Sequence, residues 1–285
     1  MQKEIKVCRI LKLRDDTDII RNNLIYYYNI GIKDQFIMLH KPTEELKKIL
    51  NTCIKELPDA NFYFLHWDIE GIGADPINEE YLRILTDKAQ KCGFNWIVGS
   101  DSDEFLILKR HKTIQEFIAQ YDDNEIISLI FKWANYFLLR DNDECAPFYN
   151  NTVGPNFLSW TKSIGKFNKD MYFVQGLHHI GNYIYGQVKP PLQVIDIEIN
   201  DAFFAHFPYR SKKQFVQKNK VQAEKFGGWR KKELDNDPLY FDKLFDTFVQ
   251  NNSWPENLDK QININLKTNN IYESIDTTLM EVIKK

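Results

Sequence analysis

Two hydrophobic periods alternate along the first third of the chain. IKVCRILKL, QFIML, NFYFLH and FNWIVG are short apolar runs, and each predicts a strand. Helical patterns lie between them. One runs from Asp18 to about Asn29 and is closed by Gly31. A second follows Pro42, with Thr43 as its N-cap, and reaches Ile54; a third spans Glu79 to Cys92 and is ended by Gly93. Strand–helix–strand alternation with short connections implies right-handed crossovers. The expected class is therefore α/β, with a mostly parallel sheet covered by helices on both faces.

The pattern then changes. Apolar runs at EIISLIFKW, MYFV, YIYGQV, LQVIDIEI and AFFAHF predict antiparallel or mixed strands joined by long loops. Ser211 and Gln214 form a capping-box pattern for a helix reaching about Phe226, stopped by Gly227 and Gly228. PLYFDKLFDTFVQ reads as helical, NNSWPENLDKQININLKTNN as a polar linker, and IYESIDTTLMEVIKK as a terminal amphipathic helix. The expected organisation is one large domain over residues 1–230 and a helical C-terminal extension over residues 231–285.

Composition narrows the function classes. A 43% hydrophobic chain with 14% aromatics can bury a substantial core. A net charge of −3 gives no general attraction to nucleic acid. The N-terminal MQKEIKVCRI lacks an apolar core of signal-peptide length, and stretches such as IISLIF are too short to span a bilayer. Cys8, Cys53, Cys92 and Cys145 form no CxxC pair, so reduced cysteines in a cytoplasmic protein are expected, with peripheral membrane contact left open.

Candidate chemistry gathers where the strands end. In an open parallel sheet, ligands bind beyond the carboxyl ends of the strands. Those ends carry Arg14-Asp15-Asp16, His40-Lys41, His66-Trp67-Asp68 and Ser100-Asp101-Ser102-Asp103-Glu104. In an extended segment Asp101 and Asp103 point the same way, and two such carboxylates suit a hard divalent cation that can in turn hold a diphosphate. An acidic turn after a buried strand is the plainer reading. Against it, carboxylates forced together without a cation would repel.

His206 ends an apolar strand and could complete a manganese site begun by carboxylates. Arg210 and Lys218 follow it, near a helix start whose free N–H groups favour anions. Trp133 is a candidate platform for a sugar, although aromatics at such spacing are more often core.

The segments LRDDTDIIRNNLIYYYNIGI, FNWIVGSDSDEF, GLHHI and HFPYRSKKQFVQK together resemble the GT-A glycosyltransferases of family 2 and the related family 92 type. The resemblance runs in order over roughly residues 5 to 225. It implies a GT-A (Rossmann-like) catalytic domain and transfer from a nucleotide-sugar donor, a UDP-sugar above all, to a carbohydrate or glycolipid acceptor. It implies Mn2+ (or Mg2+) as the cation, and inversion at the anomeric carbon. Asp16 would lie near the donor's base or ribose, Asp101 and Asp103 would hold metal and diphosphate, and His178 would match the histidine of a "GNH" turn. Leu177 stands where asparagine is common in that turn. Glu104, Asp141, Asp143, Glu144 and His178 are the candidates for a base acting on the acceptor hydroxyl. An inactive glycan-binding protein of the same fold and a metal-dependent sugar nucleotidyltransferase are the alternatives; the latter would want a glycine-rich loop after the first strand, and RDDTD has no glycine. Oligomeric state is open.

Overall fold

A computed structural model describes residues 4–67, 75–138, 152–167, 173, 177–178 and 192–251 of the 285-residue chain. The four N-terminal strands are present as β1 (Val7–Leu13), β2 (Asp34–His40), β3 (Asn61–Trp67) and β4 (Trp96–Asp101). All are parallel, with β1 between β2 and β4 and with β3 outside β2. Helices α1 (Ile20–Asn29), α2 (Glu44–Glu56) and α3 (Asp75–Lys91) connect them. The Thr43 hydroxyl accepts the Leu46 N–H at 3.2 Å, and Glu44 and Glu45 sit at the positive end of α2. Gly31 and Gly93 take φ of 97° and 86° at the ends of α1 and α3, a conformation that side chains with a Cβ rarely adopt.

The period of two along each strand sorts the core onto two faces. Leu11, Leu13, Ile37 and Leu39 pack against Ile20 and Leu24 of α1 and Leu46, Leu50 and Cys53 of α2. Their neighbours Cys8, Ile10, Phe36 and Met38 pack against Leu82, Leu85 and Ala89 of α3 on the other side. The parallel sheet is thus covered on both faces.

The rest of the sheet is mixed. β5 (Glu104–Leu108) is followed by α4 (Ile114–Ile118), β6 (Ile126–Leu138), β7 (Thr152–Lys166), β8 (Gln193–Asp196) and β9 (Ala202–His206). The strand order is β3-β2-β1-β4-β7-β6-β9-β5, with β8 paired to β6. β7 runs antiparallel to β4, and β9 antiparallel to β5. β7 was not expected from the sequence. The predicted strands MYFV and YIYGQV lie outside the described residues apart from Phe173.

Helices α5 (Lys212–Phe226), α6 (Gly228–Asn236) and α7 (Tyr240–Asn251) follow. Ser211 Oγ accepts the Gln214 N–H at 3.1 Å, but Gln214 Oε1 returns to the Arg210 N–H rather than to Ser211, so the capping box is shifted by one residue. Tyr209, Phe215, Val216 and Ala223 share a core with Phe241 and Phe245. The predicted linker and terminal helix lie outside the described residues.

The described residues divide into two compact units. One holds those up to Trp133 and from Ser159 to His206; the other holds those from Ala134 to Leu158 and from Phe207 onward. The parallel half-sheet belongs to the first, and α5, α6 and α7 to the second.

Gly99, two residues before the end of β4, makes this packing testable. A Cβ there would lie 2.6 Å from the Phe173 ring, which is fully buried. Gly99→Ala is expected to cost about 1–3 kcal/mol through overpacking. Urea unfolding reads it, and a midpoint equal to that of the parent would show that Phe173 gives way freely.

Candidate active site

β4 ends at Asp101 and β5 begins at Glu104, leaving Ser102 and Asp103 as the turn between two buried strands. Glu104 Oε2 accepts the Asp101 N–H at 2.8 Å and closes the turn. Across the antiparallel ladder, Glu104 is the partner of His206 at the end of β9. That pairing brings His206 Nε2 to 3.5 Å from Asp103 Oδ2, with side chains 13% and 10% exposed.

Around this pair stands a set of rings. Trp133 stacks on His206 at 4.4 Å between centroids and meets His178 edge-on at 5.2 Å. Trp160, which is exposed, lies 5.7 Å beyond His178. His178 Nδ1 is 3.0 Å from the Thr161 carbonyl oxygen, and Ser163 Oγ donates to the His178 carbonyl at 3.0 Å. Leu177 holds φ at 55°, a left-handed backbone that asparagine tolerates far better than leucine.

Two buried cations that sequence reasoning missed support the acidic turn. Lys162 of β7 has no exposed surface, and its Nζ lies 2.8 Å from Glu104 Oε2 and 3.3 Å from Asp101 Oδ2. Arg9 of β1 is also fully buried. It donates from Nε to Ser100 Oγ at 2.7 Å and from Nη2 to the Asp101 carbonyl at 3.1 Å, with its guanidinium 3.7 Å from the Tyr27 ring centre. Burial lowers the Arg9 pKa to about 10, which leaves it charged. Burial also works against the Lys162 ammonium, but Glu104 and Asp101 outweigh it and hold that pKa above the ordinary lysine value. Burial raises the Glu104 pKa more than Lys162 lowers it. For Asp101 the opposing effect of burial is overcome by Lys162 and then Lys12, and the carboxyl stays below the usual aspartate range.

The residues singled out from sequence fall into four groups. Asp101, Asp103, Glu104, His178, His206 and Trp133 come together in the first unit. Asp16 lies beyond the end of β1 on the same rim, where its carbonyl accepts the Ile20 N–H that opens α1. Arg210 and Lys218 belong to the second unit. There Arg210 Nη1 donates to the Phe207 carbonyl at 2.8 Å and Lys218 Nζ to the Pro208 carbonyl at 3.1 Å, so these contacts brace the turn before α5. Trp133 lays one face of its ring on His206. Asp68, Asp141, Asp143, Glu144 and His179 lie outside the described residues.

A divalent cation can be tested against this arrangement. No group of three or more His, Cys, Asp or Glu side chains placed to hold a metal occurs among the described residues. The Asp103–His206 pair supplies one carboxylate oxygen and one imidazole nitrogen 3.5 Å apart. Two ligands on adjacent vertices of an octahedral cation sit about 3 Å apart, and such cations are commonly held by one or two protein ligands plus phosphate oxygens. The pair's spacing suits two neighbouring ligand positions on such a cation.

The sequence of residues 90–239 matches the glycosyltransferase family 92 model, which covers more than half of the 285-residue chain. The chain belongs to glycosyltransferase family 92. The family 92 match takes in the Asp101–Glu104 turn, Trp133, Lys162, His178 and His206, while Arg9 and Asp16 precede it. No curated protein matches the family 92 chain in sequence.

Solved structures show distant likeness to it. A mannosyltransferase, PcManGT from Pyrobaculum calidifontis in complex with GDP-Man and Mn2+, aligns over 80% of this chain and 66% of its own, at 10% identity and a TM-score of 0.45. The chain spans about two thirds of that protein's length. HddC from Yersinia pseudotuberculosis aligns over 75% of this chain and 97% of its own, at 13% identity and a TM-score of 0.38. A glycosyltransferase involved in glycosylation of the major capsid of PBCV-1 aligns over 70% and 93%, at 13% identity and a TM-score of 0.31. No helix among the described residues of the family 92 chain is long and apolar enough to cross a membrane.

Proposed function

We propose that this family 92 chain moves a sugar from a nucleotide-sugar donor, a UDP-sugar first among them, to a hydroxyl of a carbohydrate or glycolipid acceptor, with inversion. The observation that carries the reading is the Asp103–His206 pair, 3.5 Å apart on the rim where the parallel strands end. Asp103 and His206 would hold Mn2+ or Mg2+, which supplies positive charge for the leaving nucleoside diphosphate. Asp101, held by Lys162 and Arg9, and Asp16 on the same rim would contact the nucleoside. Trp133 has a buried indole N–H with no hydrogen-bond partner among the described residues, a donor that a bound hydroxyl or phosphate oxygen would satisfy. Residues 1–230 would be the catalytic portion, residues 231–285 an extension, and the site of action the cytoplasm.

In the reaction, the anomeric carbon loses its bond to the diphosphate oxygen and gains one to the acceptor oxygen. The acceptor proton needs a base. Glu104 is buried and bound to Lys162, so it does not reach an acceptor. His178 is better placed. A carbonyl oxygen only accepts, so the contact to Thr161 puts the ring proton on Nδ1 and makes Nε2 the basic nitrogen. His178→Ala is expected to lower kcat for transfer about 10²–10⁴-fold while leaving nucleoside diphosphate binding within twofold, roughly. Unchanged transfer would remove His178 from the mechanism. The broader test is a thermal-shift series with nucleoside diphosphates and their sugars, with and without Mn2+. Only a bound donor should raise the melting temperature, and no response to any of them would sink the donor-site reading.

A further inference from the structure

Lys162 is a fully buried ammonium bridging the first carboxylate of the acidic turn and the glutamate that closes it. We propose that Lys162 is a built-in counter-cation and positioning residue, which fixes Asp101 and makes the turn take a divalent cation together with a diphosphate rather than alone. The inference rests on Asp103 and His206 being the cation ligands.

An ammonium with no exposed surface cannot touch a donor or an acceptor, so it acts through the groups it pairs with. They include Asp101 Oδ2 at 3.3 Å and Glu104 Oε2 at 2.8 Å. Arg9 grips the same residue from the other side, through the Asp101 carbonyl at 3.1 Å. Asp101 is therefore held at both its backbone and its side chain, while that side chain keeps about a third of its surface exposed, 32%. This is the geometry of a partly exposed carboxylate that is not free to turn.

Charge comes next. Asp101, Asp103 and Glu104 bring three negative charges to the turn, against which Lys162 and Arg9 set two positive ones. Cation affinity of an oxygen site rises with the number of anionic ligands free to face the ion. Lys162 subtracts from that number, since it competes for Asp101 and neutralises Glu104. The remaining pair, Asp103 and His206, is too few for tight binding alone. A diphosphate would supply the missing oxygens, and the two ligands would then bind as a unit.

The test is isothermal titration with Mn2+ alone and with Mn2+ plus UDP or GDP, whichever nucleotide the parent protein binds. Lys162→Met leaves Glu104 buried without its partner and can fail to fold. The double variant Lys162→Met/Glu104→Gln removes both charges, and glutamine still accepts the Asp101 N–H. Either variant is expected to bind Mn2+ alone at least about tenfold more tightly than the parent. Each is expected to bind Mn2+ with nucleotide no more tightly than the parent does. A general loosening of the fold would weaken both, so the crossed pattern marks a positioning role. If the double variant binds Mn2+ alone no more tightly than the parent, the inference is overturned. Asp103→Asn separates the two levels. If it abolishes Mn2+–nucleotide binding, the site reading stands whatever the lysine variants do. If it changes nothing, or if the parent binds neither nucleotide with Mn2+, both fall.

Discussion

Donor turnover in Asp103→Ala is expected to fall by roughly 10³-fold or more, because the change deletes a proposed direct ligand of the cation that offsets the leaving diphosphate's charge. Nucleoside diphosphate release from candidate donors is the assay. The fold should survive: Asp103 sits in a two-residue turn whose closing bond runs between Glu104 and Asp101, not through its own side chain. Its loss also relieves repulsion among neighbouring carboxylates. Against that, His206 loses its partner at 3.5 Å, so thermal unfolding should shift by no more than about 1–3 kcal/mol, inside the range of ordinary substitutions. A metal chelator should reproduce the effect in the parent protein, and excess Mn2+ should reverse it there but not in the variant. Parent-like turnover in Asp103→Ala would break the cation-site assignment, whatever the chelator does.

The N-terminal half-sheet was legible because one physical signal repeats there without exception. Each of β1 to β4 is an apolar run, and each of α1 to α3 has a capping residue or glycine at an end that the backbone uses. β7 gave no such signal. Its run Thr161, Lys162, Ser163, Ile164 is buried, yet only Ile164 is apolar, and Gly154 and Pro155 interrupt the segment earlier. Hydrophobic periodicity finds faces that exclude water, and a face that surrounds a polar site has no reason to show it. Lys162 was hidden for that reason.

Arg9 was hidden differently. It sits in a run correctly read as a strand, and nothing local says that a polar residue there points inward. Only the β1–β4 register, which sets Arg9 opposite Val98 and within hydrogen-bond reach of Ser100, exposes its role. The aspartates and His206 could be picked out because ends of apolar strands are where a parallel sheet presents its ligands. Their pairing could not, since it depends on β9 returning antiparallel to β5, a contact between residues far apart in the chain. Arg210 and Lys218 are a different case. Their sequence position beside His206 suggested a common target, whereas each side chain reaches back to a carbonyl of its own turn.

Glu104 decides whether the acidic turn is chemistry or bracing at its last residue. As a base it would have to meet an acceptor hydroxyl, but it is 1% exposed, and one of its oxygens already accepts from both Lys162 and the Asp101 N–H. The bracing reading makes a stability prediction. Glu104→Ala strips the nearer partner from a buried ammonium and leaves the Asp101 N–H without its acceptor. Removing one member of a buried pair in this way costs about 3–5 kcal/mol. Glu104→Gln keeps the acceptor and loses only the charge, so its cost should be smaller, about 1–3 kcal/mol. Urea unfolding with unchanged slope would report that ordering directly. Nucleotide binding should fall in the same order, because Asp101 is positioned by the same lysine. A base would behave otherwise: glutamine would leave stability and nucleotide binding untouched and remove transfer alone. An alanine variant unfolding at the parent's urea midpoint would show that the Lys162–Glu104 pair holds nothing together.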